Sequence, residues 1–228
     1  MTAPDEEPPW TAHIPQVMET LAATYHGKGA VELGKPFKVL IATVISQRTR
    51  EEQTTAISAR LFARYPNAAA LAEAPVDDLE RLLRGAQYPE VKAPRIKEIA
   101  RILRDQYGGQ VPQTIDELLT LPGVGRKTAN CVLLYAFGIP AICVDTHVHR
   151  ITNRLGWFQT KTPDQTEVAL TRVLPAPYWL TINRLMVQHG RAICLPSAPL
   201  CPRCPVRQWC KTGTQSASGA SPLARLLQ

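Results

Sequence analysis

Four cysteines crowd the C-terminal part of the sequence as Cys194-x6-Cys201-x2-Cys204-x5-Cys210. Thiolates so close along a chain are ligands for a thiophilic metal, and Pro202 and Pro205 stiffen the segments between them as a preformed cage requires. Zinc held by four cysteines more often uses two C-x2-C knuckles across a spacer. Here one pair alone is adjacent and the outer spacings are uneven, which favours an iron–sulfur centre and leaves structural zinc as the alternative. The other two cysteines, Cys131 and Cys143, lie on apolar stretches and are expected in the core.

A second group is Leu121-Pro122-Gly123-Val124-Gly125, followed directly by Arg126 and Lys127. Glycines on both sides of Val124 permit a tight turn whose backbone N–H groups, with the start of the next helix, converge on an anion such as a DNA phosphate. This is helix-hairpin-helix geometry. An ordinary helix connection explains the glycines as well, but not the cations. In a first helical turn Arg126 and Lys127 oppose the macrodipole, which costs stability unless an anion is expected. The helix terminus and Arg126 both disfavour an ammonium at Lys127, and a partly neutral amine is a nucleophile able to form a Schiff base at a sugar carbon. A phosphate contact is the simpler role for the same side chain.

The third group is Val144-Asp145-Thr146-His147-Val148-His149-Arg150, where an apolar run ends and a helical pattern starts. Asp145 is placed as an N-cap. A capping carboxylate is also rigidly aimed, so it can stabilise a cationic sugar or move a proton. His147 and His149, two apart, face different ways on a helix, which argues against a two-histidine metal site.

The elements that must carry these groups are helical. Ile14, Val17, Met18 and Leu21 follow the i, i+3, i+4, i+7 pattern, and Phe37, Leu40, Ile41, Val44 and Ile45 extend it. Further helices are predicted at about 51–64, 76–84, 93–107, 113–120, 125–137, 146–155, 164–174 and 178–193, with short Pro, Gly or Asn breaks between them. No period-2 run of strand length and no internal repeat occurs, so the fold class is all-α with short connections. The Ser-, Thr-, Gly- and Ala-rich segment from Lys211 to Gly219 is expected to be loose, with Leu223, Leu226 and Leu227 able to dock.

Composition narrows the partner. The 228 residues are 45% hydrophobic and 20% charged, ordinary globular material for one large or two small domains. A net charge of +7 favours a polyanion. Only 6% aromatic residues argues against base-stacking sheets of the single-strand RNA-binding kind and for duplex binding through helices and backbone amides. No apolar run approaches the ~18 residues of a membrane span, and the opening residues are acidic where a secretory signal is basic and then apolar. A soluble cytoplasmic monomer is expected, associated with the nucleoid and not with membrane, its cysteines serving as ligands and not as staples.

In this order and at these separations, LPGVGRKTAN, VDTHVHR and the four-cysteine tail resemble the endonuclease III family, helix-hairpin-helix DNA glycosylases with AP-lyase activity. The resemblance runs from about Pro36 to Cys210. It implies Lys127 as the Schiff-base nucleophile, Asp145 as the essential carboxylate, and a structural 4Fe-4S cluster on Cys194, Cys201, Cys204 and Cys210. It implies a six-helix barrel domain over about 33–140, a cluster domain from 1–32 plus 141–228, and a DNA cleft between them. Gln47, in Ser46-Gln47-Arg48-Thr49, inherits the role of filling the gap left by a flipped nucleotide. Gly123, Val124, Gly125 and Arg126 would hold the DNA backbone.

Adenine-specific relatives usually lack the lysine at the Lys127 position and carry a further C-terminal domain, whereas here Lys127 is present and a short stretch follows Cys210. The resemblance therefore implies removal of oxidised pyrimidines from duplex DNA, with strand cleavage 3′ to the abasic site. A monofunctional glycosylase for another lesion or mismatch, or a non-catalytic DNA-binding module, are the other readings. Two segments depart from the family pattern. The loop Leu195 to Leu200 carries no Lys or Arg where bacterial members often present cations to DNA, and the stretch from Gly85 to Ala93 is longer than the family's wedge segment. Tyr88 is either the side chain that probes the base stack there or a buried barrel residue. These departures predict an altered lesion preference.

Overall fold

The structure is a computed structural model that describes residues 9–25 and 34–215. Its contacts divide the chain into two compact units, Val31–Ala141, and Met1–Ala30 together with Ile142–Gln228. Among the described residues the regular elements are all helical, and none is long and apolar enough to cross a membrane.

The discontinuous unit starts with a 3-10 turn, Pro9–His13, that leads into α1 (Ile14–Thr24). Ile14, Val17, Met18 and Leu21 form the buried stripe of α1 that their spacing predicts.

The continuous unit holds α2 (Pro36–Ser46), α3 (Glu51–Arg64), α4 (Ala68–Ala72), α5 (Val76–Leu82), α6 (Pro89–Tyr107), α7 (Ile115–Leu119) and α8 (Arg126–Phe137). Here α2 packs on α3, α6 and α8, while α6 also meets α4 and α5. The core between them includes Leu40, Ile41, Val44, Ile57, Leu61, Leu79, Ile96, Ile99, Leu103 and Val132. Cys131 is buried among them as the sequence predicts.

The chain then returns to the first unit as α9 (Thr146–Leu155), α10 (Pro163–Val173), α11 (Ile182–Ala192) and α12 (Lys211–Gln215), with 3-10 turns at Ala176–Tyr178, Cys201–Arg203 and Arg207–Trp209. α9 packs on α10, α11 and α12, and α1 packs on α11. One core joins α1, Val148, Ile151, Leu155, Leu170, Leu185 and Met186 to Cys194 and Val206 of the cysteine segment. Trp157 is fully buried within it, and Cys143 is buried as well.

Several predictions need correction: α11 begins at Ile182 and not near 178, after a separate 3-10 turn at Ala176–Tyr178, and the short α4 was not predicted. α6 begins at Pro89, not near 93, because Tyr88 takes a left-handed conformation that turns the chain and Pro89 is pre-organised for the first helical position. Pro94, which reads as a breaker, lies inside this helix and costs only the bond its N–H would have given to the Glu90 carbonyl. The segment after Cys210 is not loose throughout: Lys211–Gln215 is helical and packs on α9, and Gly213 is buried where a Cβ would press on Arg207 and Cys210. The leucines at 223, 226 and 227 lie outside the described residues.

Replacing Leu21, fully buried on α1, by Ala should lower stability by about 2–5 kcal/mol. Gln16→Ala on the exposed face of the same helix should change it by less than about 0.5 kcal/mol. The midpoints of urea denaturation check both, and equal midpoints would mean that α1 contributes no core.

Candidate nucleic-acid interface and cysteine centre

The hairpin connects α7 to α8. Gly123 has φ +73, a left-handed backbone that a side chain disfavours, and a Cβ there would also collide with the Arg95 side chain of α6. Val124 folds inward and is buried, which leaves Gly123 and Gly125 exposed on either side of it. Gly125 is the N-cap of α8 with an ordinary extended backbone, and a Cβ there would meet nothing within 4 Å. Among the described residues nothing demands a glycine at that position. The cap offers no side-chain acceptor and the first turn of α8 contains no acid; it contains Arg126, half-buried, and Lys127, exposed.

Gln47 lies just beyond α2 and is half-buried. Its Nε2 donates to the Gly123 carbonyl at 2.9 Å and lies 3.4 Å from the Thr128 hydroxyl, so the structure brings Gln47 against the hairpin. Tyr88 is not a buried barrel residue. Half of it is exposed, and it sits at the left-handed N-cap of α6 beside the exposed Val91. Tyr88 and Arg48 are the non-glycine residues of positive φ among the described residues, and each lies in one of these loops.

Sequence reasoning missed the residue that links the two loops. Lys92, on α6, is 3% exposed, and its Nζ donates to the carbonyls of Ile45 and Gln47 at 2.7 and 2.6 Å and to the Thr49 hydroxyl at 3.0 Å. Burial, with Arg95 adding to it, holds its ammonium down to about 8. A lysine within an otherwise apolar helical stripe was the one available signal.

In the other unit Asp145 caps α9, as predicted. One carboxylate oxygen accepts from the backbone N–H groups of His147 and Val148 at 2.8 and 2.9 Å, and the second lies 3.5 Å from His147 Nδ1. The carboxylate is therefore held from below while a quarter of the side chain stays accessible. His149 turns away to Thr166 at 2.7 Å, so the two histidines do not share a site.

Cys194, Cys201, Cys204 and Cys210 line one cavity, whose walls include Ile151, Leu155, Ile193 and Val206. Among the described residues, no three His, Cys, Asp or Glu side chains are disposed around a single metal ion. Two of the sulfurs accept from N–H groups, Cys194 from Arg154 Nη1 at 3.4 Å and Cys210 from the Gly213 backbone at 3.3 Å, and His189 Nε2 lies 3.7 Å from Cys204. His189 is almost fully buried, and its Nδ1 lies 3.0 Å from the Tyr25 hydroxyl. Burial and then Arg150 lower this imidazole to about 4, leaving the ring neutral at neutral pH. Burial also pushes the Cys204 thiol up to about 11, opposed by the Val206 backbone and reinforced by the other three cysteines. Arg154 further donates to the carbonyls of Leu195 and Pro196, so the loop without cations rests on a guanidinium from α9.

Comparison with known proteins agrees with this geometry. Residues 41–176 match the family model described as HhH-GPD superfamily base excision DNA repair protein. The chain is 53% identical over 176 residues to an endonuclease III of Thermotoga maritima, covering 77% of this chain and 83% of that protein. It is 39% identical over 182 residues to an endonuclease III of Synechocystis, covering 79% and 83%. A solved trapped endonuclease III–DNA covalent intermediate superposes with TM-score 0.82 at 33% identity, over 91% of this chain and 98% of that one. A helix-hairpin-helix fold with these motifs defines a base excision DNA repair protein, and the chain belongs to the HhH-GPD superfamily.

The two hairpin glycines should respond differently to alanine. Gly123→Ala, strained in backbone and blocked by Arg95, should cost at least about 1–2 kcal/mol of stability. Gly125→Ala should cost less than about 1 kcal/mol, the loss of a favourable cap residue. Denaturant melts of the two variants measure the difference, and equal losses would contradict the steric account.

Proposed function

We propose that this protein is a bifunctional DNA glycosylase and AP lyase that removes oxidised pyrimidines from duplex DNA, working as a monomer on DNA of the nucleoid. One observation carries the reading: Lys127 is an exposed amine in the first turn of α8, behind an exposed glycine turn, in a chain that is similar over 91% of its length to an endonuclease III trapped covalently on DNA. A binding module would need the glycines and a cation, but no particular amine.

In the proposed mechanism the amides of Gly123 and Gly125, the turn packed by Val124 and the Arg126 guanidinium hold the DNA backbone, and the damaged nucleotide is extruded at a cost of a few kcal/mol. Gln47 and Tyr88 attend the gap left in the stack. The Lys127 amine attacks C1′, the glycosidic C–N bond breaks, and the base departs with a proton. The C1′–O4′ bond then opens, O4′ takes up a proton as the 4′-hydroxyl, and the nitrogen, keeping its remaining hydrogen, becomes a protonated Schiff base that acidifies the 2′ hydrogen. Its removal expels the 3′ phosphate, and the strand is cut on the 3′ side. Asp145, fixed by its cap bonds, stabilises the cationic sugar and takes part in proton transfer.

Cys194, Cys201, Cys204 and Cys210 are proposed to hold a 4Fe-4S cluster. The donor set fits: four thiols line one apolar-walled cavity, and their uneven spacing suits an iron–sulfur centre better than paired zinc knuckles. Such a cluster cross-links the segment and supplies no step of the reaction above.

Borohydride should trap the protein on duplexes carrying either an oxidised pyrimidine or a pre-made abasic site, and Lys127→Ala should abolish both adducts. Base release without an adduct would indicate a monofunctional glycosylase, and neither activity would indicate a binding module. A panel of damaged bases defines the preference. Purified protein should contain iron and acid-labile sulfide in equal amounts, both lost with pairs of cysteines changed to serine; zinc without sulfide would overturn the cluster assignment.

A further inference from the structure

Lys92 is the buried lysine of the described residues, and the proposed chemistry does not use it. An ammonium has three donors, and here all three are committed, to the Ile45 and Gln47 carbonyls and the Thr49 hydroxyl. The two carbonyls stand at the C-terminal end of α2, where helical acceptors run out and positive charge is favoured. Thr49 Oγ1 also accepts from the Gln87 backbone N–H at 3.2 Å, so the same hydroxyl joins the end of α2 to the turn before α6. Arg48 lies between two residues that the ammonium grips, and Tyr88 follows the residue bound to Thr49. These are the two residues held in left-handed conformations that only surrounding structure can maintain. Gln47 in turn donates to Gly123, which links the hairpin to the same assembly.

We propose that Lys92 is a positioning residue for nucleotide extrusion, whose ammonium clamps the Gln47–Thr49 loop to the Gln87–Tyr88 turn and keeps Gln47, Tyr88 and the hairpin in fixed register. The proposal rests on the reading of Gln47 and Tyr88 as groups that attend the gap in the duplex. Residues that occupy such a gap help only if they are ordered before the base leaves, because ordering them during extrusion consumes binding energy. An abasic site has no base pair to open, so its cleavage depends less on that order.

The test compares the full-length protein with Lys92→Met, Lys92→Arg and Thr49→Val in single-turnover assays. Base release is measured on a duplex carrying an oxidised pyrimidine, and imine trapping on a duplex carrying a pre-made abasic site. The ratio of the two rates should fall about tenfold in Lys92→Met and less, in the same direction, in Thr49→Val. Lys92→Arg, which returns charge and donors, should recover part of it. An unchanged ratio, or a parallel fall of both rates, would overturn the proposal and leave Lys92 a purely structural lysine. Should Lys92→Met not fold, the Thr49→Val ratio decides alone. Absence of both activities in the unaltered protein would overturn the glycosylase reading itself, a result separate from any change in ratio.

Discussion

The first turn of an α-helix leaves N–H groups without an intrahelical acceptor, and the way each helix meets that demand orders much of this molecule. Asn67, Thr114, Asp145 and Thr162 each turn a side-chain oxygen onto the open end of α4, α7, α9 or α10. α6 starts on a proline, which has no N–H to satisfy. α8 departs from all of these. Its cap is a glycine, its first turn is basic, and the neighbouring Gly123 bends the chain so that both glycines stay exposed. Basic residues in a first turn oppose the helix dipole, and an anionic backbone laid against this terminus is a partner that suits it.

α6 supports that terminus from behind. Arg95 occupies the volume that a side chain at Gly123 would need, and Lys92, one helical turn earlier, ties down the loop from which Gln47 reaches the Gly123 carbonyl. Two buried or half-buried cations thus stand beneath a surface that already presents Arg126 and Lys127. Burial first, and then Arg95, lower the Lys92 ammonium, so the clamp is held at an electrostatic cost that its three acceptors offset.

Local signals carried the sequence reading far. The apolar periods placed α1, α2, α3, α8 and α9, and the Asp145 cap followed from a polar residue at the end of an apolar run. What stayed hidden depends on partners far apart in the chain. The bond from Lys92 to Ile45 spans 47 residues and that from His189 to Tyr25 spans 164, and neither lysine nor histidine carries a local mark that names its acceptor. The left-handed turn at Tyr88 was hidden for a related reason: tyrosine rarely adopts it, and here tertiary contacts override local preference. The Lys211–Gln215 helix has weak intrinsic propensity and owes its order to packing on α9.

The cysteine segment is continuous with the core of its unit. Cys194 and Val206 belong to the same buried cluster as α1, α9 and α11, and Cys204 and Cys210 pack against it, so three of the four thiols are fixed by the packing that stabilises the unit. Burial keeps the Cys204 proton on sulfur, so the proposed cluster would displace it on binding and couple assembly to proton release. Arg154 and Gly213 turn N–H groups toward Cys194 and Cys210, and His189 Nε2 stands beside Cys204. Because His189 is held on its other side by Tyr25 of α1, even the helix that enters from the start of the chain bears on how one sulfur is presented. The proposed cluster, held there, would tie this segment to α9, the helix that Asp145 caps and against which Cys194 rests through Arg154.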